Sequence, residues 1–177
     1  MPVAIVTGSQ TCIPRALADS YEIEILPYGL ELKNRSYRDG VDITPEEFYR
    51  YLPTVDGLAH TSATPPGVFL EAFERLSARA EGILVITIAS GMSTIHHNAI
   101  IASTTFTGAP VRVLDSRTAA MAQGFVVIEA AKAAQARASL DECYLVAEEA
   151  SHKVDLYAYI STFDYLKKSG RVTAVKA

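Results

Sequence analysis

Short apolar runs rich in β-branched residues alternate along this chain with longer stretches that repeat at helical spacing. Val3–Thr7 is the first run, and it breaks at Gly8-Ser9 before Pro14 opens a short helix to about Ser20. Glu22–Leu32 alternates and reads as one strand, followed by a polar turn over Tyr37–Asp42 with an Asp-Gly pair. Thr44-Pro45-Glu46-Glu47 is a helix start, with a capping hydroxyl, a proline at the first position and a carboxylate placed for a capping box. Pro53 closes that helix. The hydroxyl-rich loop from His60 to Gly67 precedes a helix whose Phe69, Ala72, Phe73, Leu76 and Ala80 share one face.

Ile83–Ala89 is almost unbroken in its apolar character, as a strand buried on both faces of a parallel sheet requires. Ser90, Gly91, Ser93 and Thr94 then form a small polar turn that feeds a helix to about Thr105. Pro110–Leu114 is a further strand, Asp115–Thr118 a polar turn, and Ala119 to about Arg137 an apolar helix with Gly124 inside it, where close packing is expected. Ser139 and Glu142 start the next helix, which runs to about Lys153. Val154–Ser161 reads as a strand and Thr162–Ser169 as a short helix, its Lys167 and Lys168 matching the negative end of the dipole before Gly170. The alternation predicts an α/β fold, a Rossmann-like, mainly parallel sheet with helices on both faces. In such a sheet ligands bind outside the carboxyl ends of the strands. The loops at 7–11, 61–64, 90–94 and 115–118 are the candidates for that edge.

Charge narrows the partners. With a formal net charge of −4 and a pI near 5.6 there is no general basic surface for a polyanion, so nucleic acid is not an expected partner. No apolar run reaches transmembrane length and the start lacks a basic leader, so the expected location is cytoplasmic. Cys12 and Cys143 lack metal-site spacing and are expected to be reduced. His96 and His97 are adjacent, so a helix points them about 100° apart, unlike a metal-binding pair; no metal is expected. Thr7–Cys12 matches neither a dinucleotide fingerprint nor a phosphate loop, and no cofactor is expected.

The chemistry that remains is anion binding. A strand that feeds a helix through hydroxyls presents unpaired N–H groups and O–H groups to one spot, which makes Ser90, Ser93 and Thr94 candidates. Ser9 and Ser116 occupy equivalent turns, and His60 adjoins Thr61. Arg171 offers a planar fork suited to a carboxylate or phosphate.

Several segments together resemble the DegV family of bacterial fatty-acid-binding proteins. They are Val-Thr-Gly-Ser with the following Pro14, the stretch 37–49, Thr-Ser-Ala-Thr-Pro-Pro-Gly at 61–67, Ser90–Ala99, Asp-Ser-Arg at 115–117 and Tyr-Leu-Lys-Lys-Ser-Gly-Arg-Val at 165–172. The resemblance implies an N-terminal α/β domain over 1–152 and the start of an incomplete second domain over 153–177, so that the chain reads as truncated. It implies that Thr61, Ser93 and Arg171, with Ser62 beside them, hold the carboxylate of a long-chain fatty acid whose acyl chain lies in an apolar groove, the acid being presented to a fatty acid kinase. A histidine of that family site belongs to the second domain beyond residue 177. Gly8 stands where the family usually has Asp, and Thr94-Ile95 where it has Gly-Thr. The alternative is an enzyme acting on a small phosphorylated or carboxylated metabolite, with Asp115 or His60 as acid or base.

Overall fold

The computed structural model describes residues 2–32, 35–55, 58–163 and 167–168. The chain folds into two compact units: Met1–Leu26 with Ala63–Leu156, and Pro27–Ser62 with the chain from Tyr157 onward. This division does not follow a cut at residue 152, because 27–62 builds a sheet of its own.

The large unit is a four-stranded parallel sheet of β1 (Val3–Gly8), β2 (Glu24–Leu26), β6 (Gly82–Thr87) and β7 (Val111–Asp115), in the order β2-β1-β6-β7. All residues of β1 and β6 are buried, so their apolar runs face helices on both sides. Side chains alternate between the faces. Val3, Ile5, Leu84 and Ile86 pack with α1 (Arg15–Ser20), α5 (Ala120–Gln135) and α6 (Leu140–Ser151) through Ala18, Val126, Val127, Ala130, Cys143 and Ala147. Ala4, Val6, Ile83 and Val85 point to the other face, where α3 (Pro66–Ser77) and α4 (Ile95–Thr105) lie against β6. Phe73 of α3 is completely buried there and its ring meets Phe106 at 5.6 Å between centroids. Gly124 lies in α5 where a Cβ would come within 3.1 Å of the Thr11 carbonyl, so its lack of a side chain lets the turn after β1 pack closely on the helix.

Helix starts follow the expected chemistry. The side chain of Ser139 accepts from the Glu142 amide while Glu142 accepts from that of Ser139, and Thr44 does the same with Glu47 at α2 (Pro45–Tyr51).

The small unit holds an antiparallel sheet of β3 (Gly29–Leu32), β4 (Arg35–Arg38) and β5 (His60–Ser62), order β4-β3-β5, over a core of Leu30, Leu32 and Ile43 with Tyr28, Tyr37 and Phe48. The expected single strand over 22–32 is therefore two strands in different sheets, divided at Pro27-Tyr28, where proline removes a ladder donor. Tyr37 and Arg38 are strand residues, and the turn falls after them at Gly40, with φ 71°. His60–Ser62, expected as a loop beside the parallel sheet, is instead an edge strand paired with β3. Val154–Ile160, expected as a strand, has no regular structure. Of the expected helix at 162–169, Lys167 and Lys168 are helical and 164–166 and 169 lie outside the described residues.

Replacing Phe73 with Ala should cost about 3–5 kcal/mol of unfolding free energy in a urea titration, because α3 cannot close on the void. In the small unit the Arg38 guanidinium bonds both oxygens of Asp42 at 2.9 Å. These side-chain bonds, together with the Arg38 backbone N–H and charge, lower the Asp42 pKa from 3.8 to about 2. A carboxyl depressed on folding contributes stability that is complete above about pH 4 and is lost as the pH falls through its folded value. An NMR titration of the Asp42 carboxyl should therefore show its midpoint near 2, and Arg38→Gln should return it toward the ordinary range.

Candidate functional site at the strand ends

The strand order reverses direction between β1 and β6: from β1 the chain proceeds outward to β2, from β6 outward to β7. The loops that leave these central strands separate and open a crevice at their carboxyl ends, the usual ligand position in an open parallel sheet. Here they are the 3₁₀ turn at Ser9–Thr11 and the stretch Ile88–Thr94.

Three polar side chains fasten the floor of this crevice. Gln123 of α5 is fully buried, and its Nε2 donates to Thr7 Oγ1 and to the Ile86 carbonyl, both at 3.1 Å. Thr7 Oγ1 donates to the same carbonyl at 2.8 Å. On the opposite face Thr87 Oγ1 lies 2.9 Å from His96 Nδ1 in the first turn of α4. Reading the sequence for motifs passed over Gln123. The signal was there, since it is the one amide in the apolar run Ala119–Ala131.

The loop carrying the hydroxyls is held from the β7 side. Asp115 accepts from the Ser90 amide at 3.2 Å and from the Arg117 amide at 2.8 Å, and the Ala89 amide donates to the Thr118 carbonyl at 2.9 Å. Burial works to raise the Asp115 pKa, but hydrogen bonds from the Ser90 side chain and from both amides, with the charge of His96, outweigh it and lower the pKa. Asp115 is thus a fixed anion that positions a backbone. A group held in that state is a poor general acid.

Within this loop Ser93 is half-buried and Ser90 and Thr94 are exposed. Ser93 Oγ accepts from the Ile95 amide at 3.3 Å, and its hydroxyl hydrogen has no acceptor among the described residues. Thr94 precedes α4 with φ −76° and ψ 0° and makes no capping bond, so a β-branched residue sits here without strain. Ser116 behaves differently. It is buried, and its hydroxyl donates to the Thr118 carbonyl and accepts from the Thr118 amide, which closes a turn. Ser9 is half-buried in the turn after β1. The structure therefore brings Ser90, Ser93 and Thr94 together with Asp115 below them.

His60, Thr61 and Ser62 stand on β5 of the small unit, all exposed, opposite Glu31, Leu30 and Gly29 in register. The missing side chain of Gly29 leaves the space that the Ser62 hydroxyl fills. Arg171 lies outside the described residues. Among the described residues no three His, Cys, Asp or Glu side chains converge to hold a metal ion, and no helix is long and apolar enough to cross a membrane. A large open cleft of about 870 Å³ lies at the other end of the parallel sheet, around Pro2, Arg79 and Arg137, away from the loops that carry Ser9, Ser90 and Ser93.

The profile of the DegV family, described as an uncharacterised protein family, matches residues 2–177. A DegV domain-containing protein of Caldanaerobacter subterraneus subsp. tengcongensis is 31% identical over 175 residues, covering 99% of this chain and 62% of that protein. One from Listeria monocytogenes is 28% identical over 176 residues with the same coverage, 99% and 62%. The chain thus spans 62% of the length of these curated relatives. Among solved structures, a Thermotoga maritima protein described as revealing a fatty acid binding function superposes with a TM-score of 0.85 at 27% identity, over 98% of this chain and 64% of its own. DegV of Bacillus subtilis, described as a fatty acid binding protein, gives 0.82 at 25% identity, over 86% and 54%. Parallel sheet, hydroxyl loop and whole-length match agree, and the chain belongs to the DegV family.

Proposed function

We propose that this chain binds a long-chain fatty acid, with the carboxylate held by Ser93 of the loop after β6 and by Thr61 of β5, with Ser62 beside it, and the acyl chain on apolar surface. The observation that carries this reading is the state of Ser93: its oxygen is fixed by the Ile95 amide, while its hydrogen is left to donate at the start of an eleven-residue helix. A carboxylate there gains a charge-assisted hydrogen bond and the favourable end of a dipole. Two solved relatives at 25% and 27% identity are described as fatty acid binding. Apolar surface on the large unit is present in the exposed side chains of Met92 and Leu156. Arg171 is the proposed cation of the site, and presentation of the bound acid to a fatty acid kinase is the proposed role of the longer protein. The cytoplasm is the proposed compartment. In the enzymatic alternative Asp115, its pKa lowered by the amides it accepts from, is a poor proton donor, and His60 is left as the candidate acid.

Replacing Ser93 or Thr61 with Ala should each weaken oleate binding by about 1–3 kcal/mol in calorimetry, and unchanged affinity in the double variant would refute the site. Asp115→Asn separates positioning from charge. If the carboxylate acted only as a nearby negative charge, its removal would tighten binding of an anion. We expect the opposite, weaker oleate binding, because the Ser90 and Arg117 amides share one fewer charged acceptor and the loop loosens.

A further inference from the structure

Gln10 lies in the 3₁₀ turn that follows β1. Its amide nitrogen and oxygen are both buried, and neither has a hydrogen-bond partner among the described residues. A surface glutamine ordinarily turns its amide to water, and a buried amide left unpaired is costly. Here the amide is folded back onto Gly8, occupying the place where a side chain on residue 8 would begin. Only glycine at position 8 permits that placement.

The side of the sheet on which the amide lies follows from the alternation of β1. A side chain at residue 8 points as those of Ala4 and Val6 do, toward α3 and α4. The β1–β6 register pairs Thr7 with Ile86, and continuing it sets Gly8 beside Thr87, on a strand about 4.8 Å away. Thr87 is in turn bonded to His96, in the first turn of α4. The unpaired amide, the start of α4 and the Ser93 hydroxyl therefore share one face and one end of the two central strands.

We infer that the Gln10 amide is a further ligand-contacting group of this crevice, donating an N–H from the β1 side to the carboxylate that Ser93 meets from the β6 side. The inference rests on the fatty acid reading above. The amide rests on Gly8 without a partner among the described residues. A rotation of the side chain delivers it to the ligand, so that its lost hydrogen bonding is recovered only on binding. Gln10 is then a residue that lowers the stability of the free protein and raises affinity, a combination that a packing residue does not show.

Gln10→Met keeps the length and removes both unpaired polar atoms. The 177-residue chain carrying it should melt at a higher temperature than the unsubstituted chain and bind oleate about tenfold more weakly. Gln10→Glu sets a second carboxylate against the first and should weaken oleate binding further, with the loss reduced at acid pH. Failure of the unsubstituted chain to bind oleate would overturn the fatty acid reading itself. If that chain binds and Ser93→Ala weakens it, while Gln10→Met and Gln10→Glu bind as tightly as the unsubstituted chain, the role of Gln10 is overturned and the reading stands.

Discussion

Two strands buried on both faces must end somewhere, and where they end their polar groups have to be paired. That constraint shapes the large unit. β1 and β6 are apolar to within a residue of their carboxyl ends, and there Thr7, Thr87 and Gln123 take over, supplying hydroxyl and amide partners to a carbonyl and to α4. A buried carbonyl or hydroxyl without a partner costs about as much as a lost hydrogen bond. The same row of polar side chains that closes the core is the floor on which the hydroxyl loop after β6 stands.

Asp115 extends this arrangement outward. It receives the amides of two different loops, so the turn after β7 and the turn after β6 have one conformation between them. Ser93 follows in the same loop, and under the proposed reading its hydroxyl meets the carboxylate from a position already fixed by the Ile95 amide. Preorganised donors of this kind hold a ligand without the entropic cost of ordering a mobile loop.

Much of this was legible in the sequence because the signals were strong and local. The apolar runs at 3–7 and 83–88 allow no place but the centre of a sheet, and both Ser/Thr-x-x-Glu boxes started helices where they stood. The hydroxyl turn at Ser90–Thr94 was likewise readable, since a polar break after such a run is a strand end. The sheet of the small unit was not legible. β5 is three exposed polar residues, His-Thr-Ser, with no alternation to mark it, and its strand character comes from pairing with β3 some thirty positions earlier. Glu22–Leu32 alternates throughout, and only the proline at 27 hinted that two sheets divide it. Ser116 looked like a site hydroxyl by residue type; its burial and its bonds to Thr118 are tertiary facts. Arg171 lies outside the described residues.

The insertion of 27–62 between the two halves of the large unit bears on how the chain folds. The Thr7 hydroxyl meets the Ile86 carbonyl across 79 positions of sequence, so the central parallel pairing is a long-range contact that must close a large loop before it returns any stabilisation. The inserted sheet is more local: β3 and β4 join within ten residues, and β5 pairs with β3 at less than half the separation between Thr7 and Ile86. If this local unit condenses first, it gathers much of the intervening chain into a compact body and shortens the effective loop that β1 and β6 have to close. The inserted segment would then act during folding as an internal tether, setting the speed at which the central parallel sheet can form.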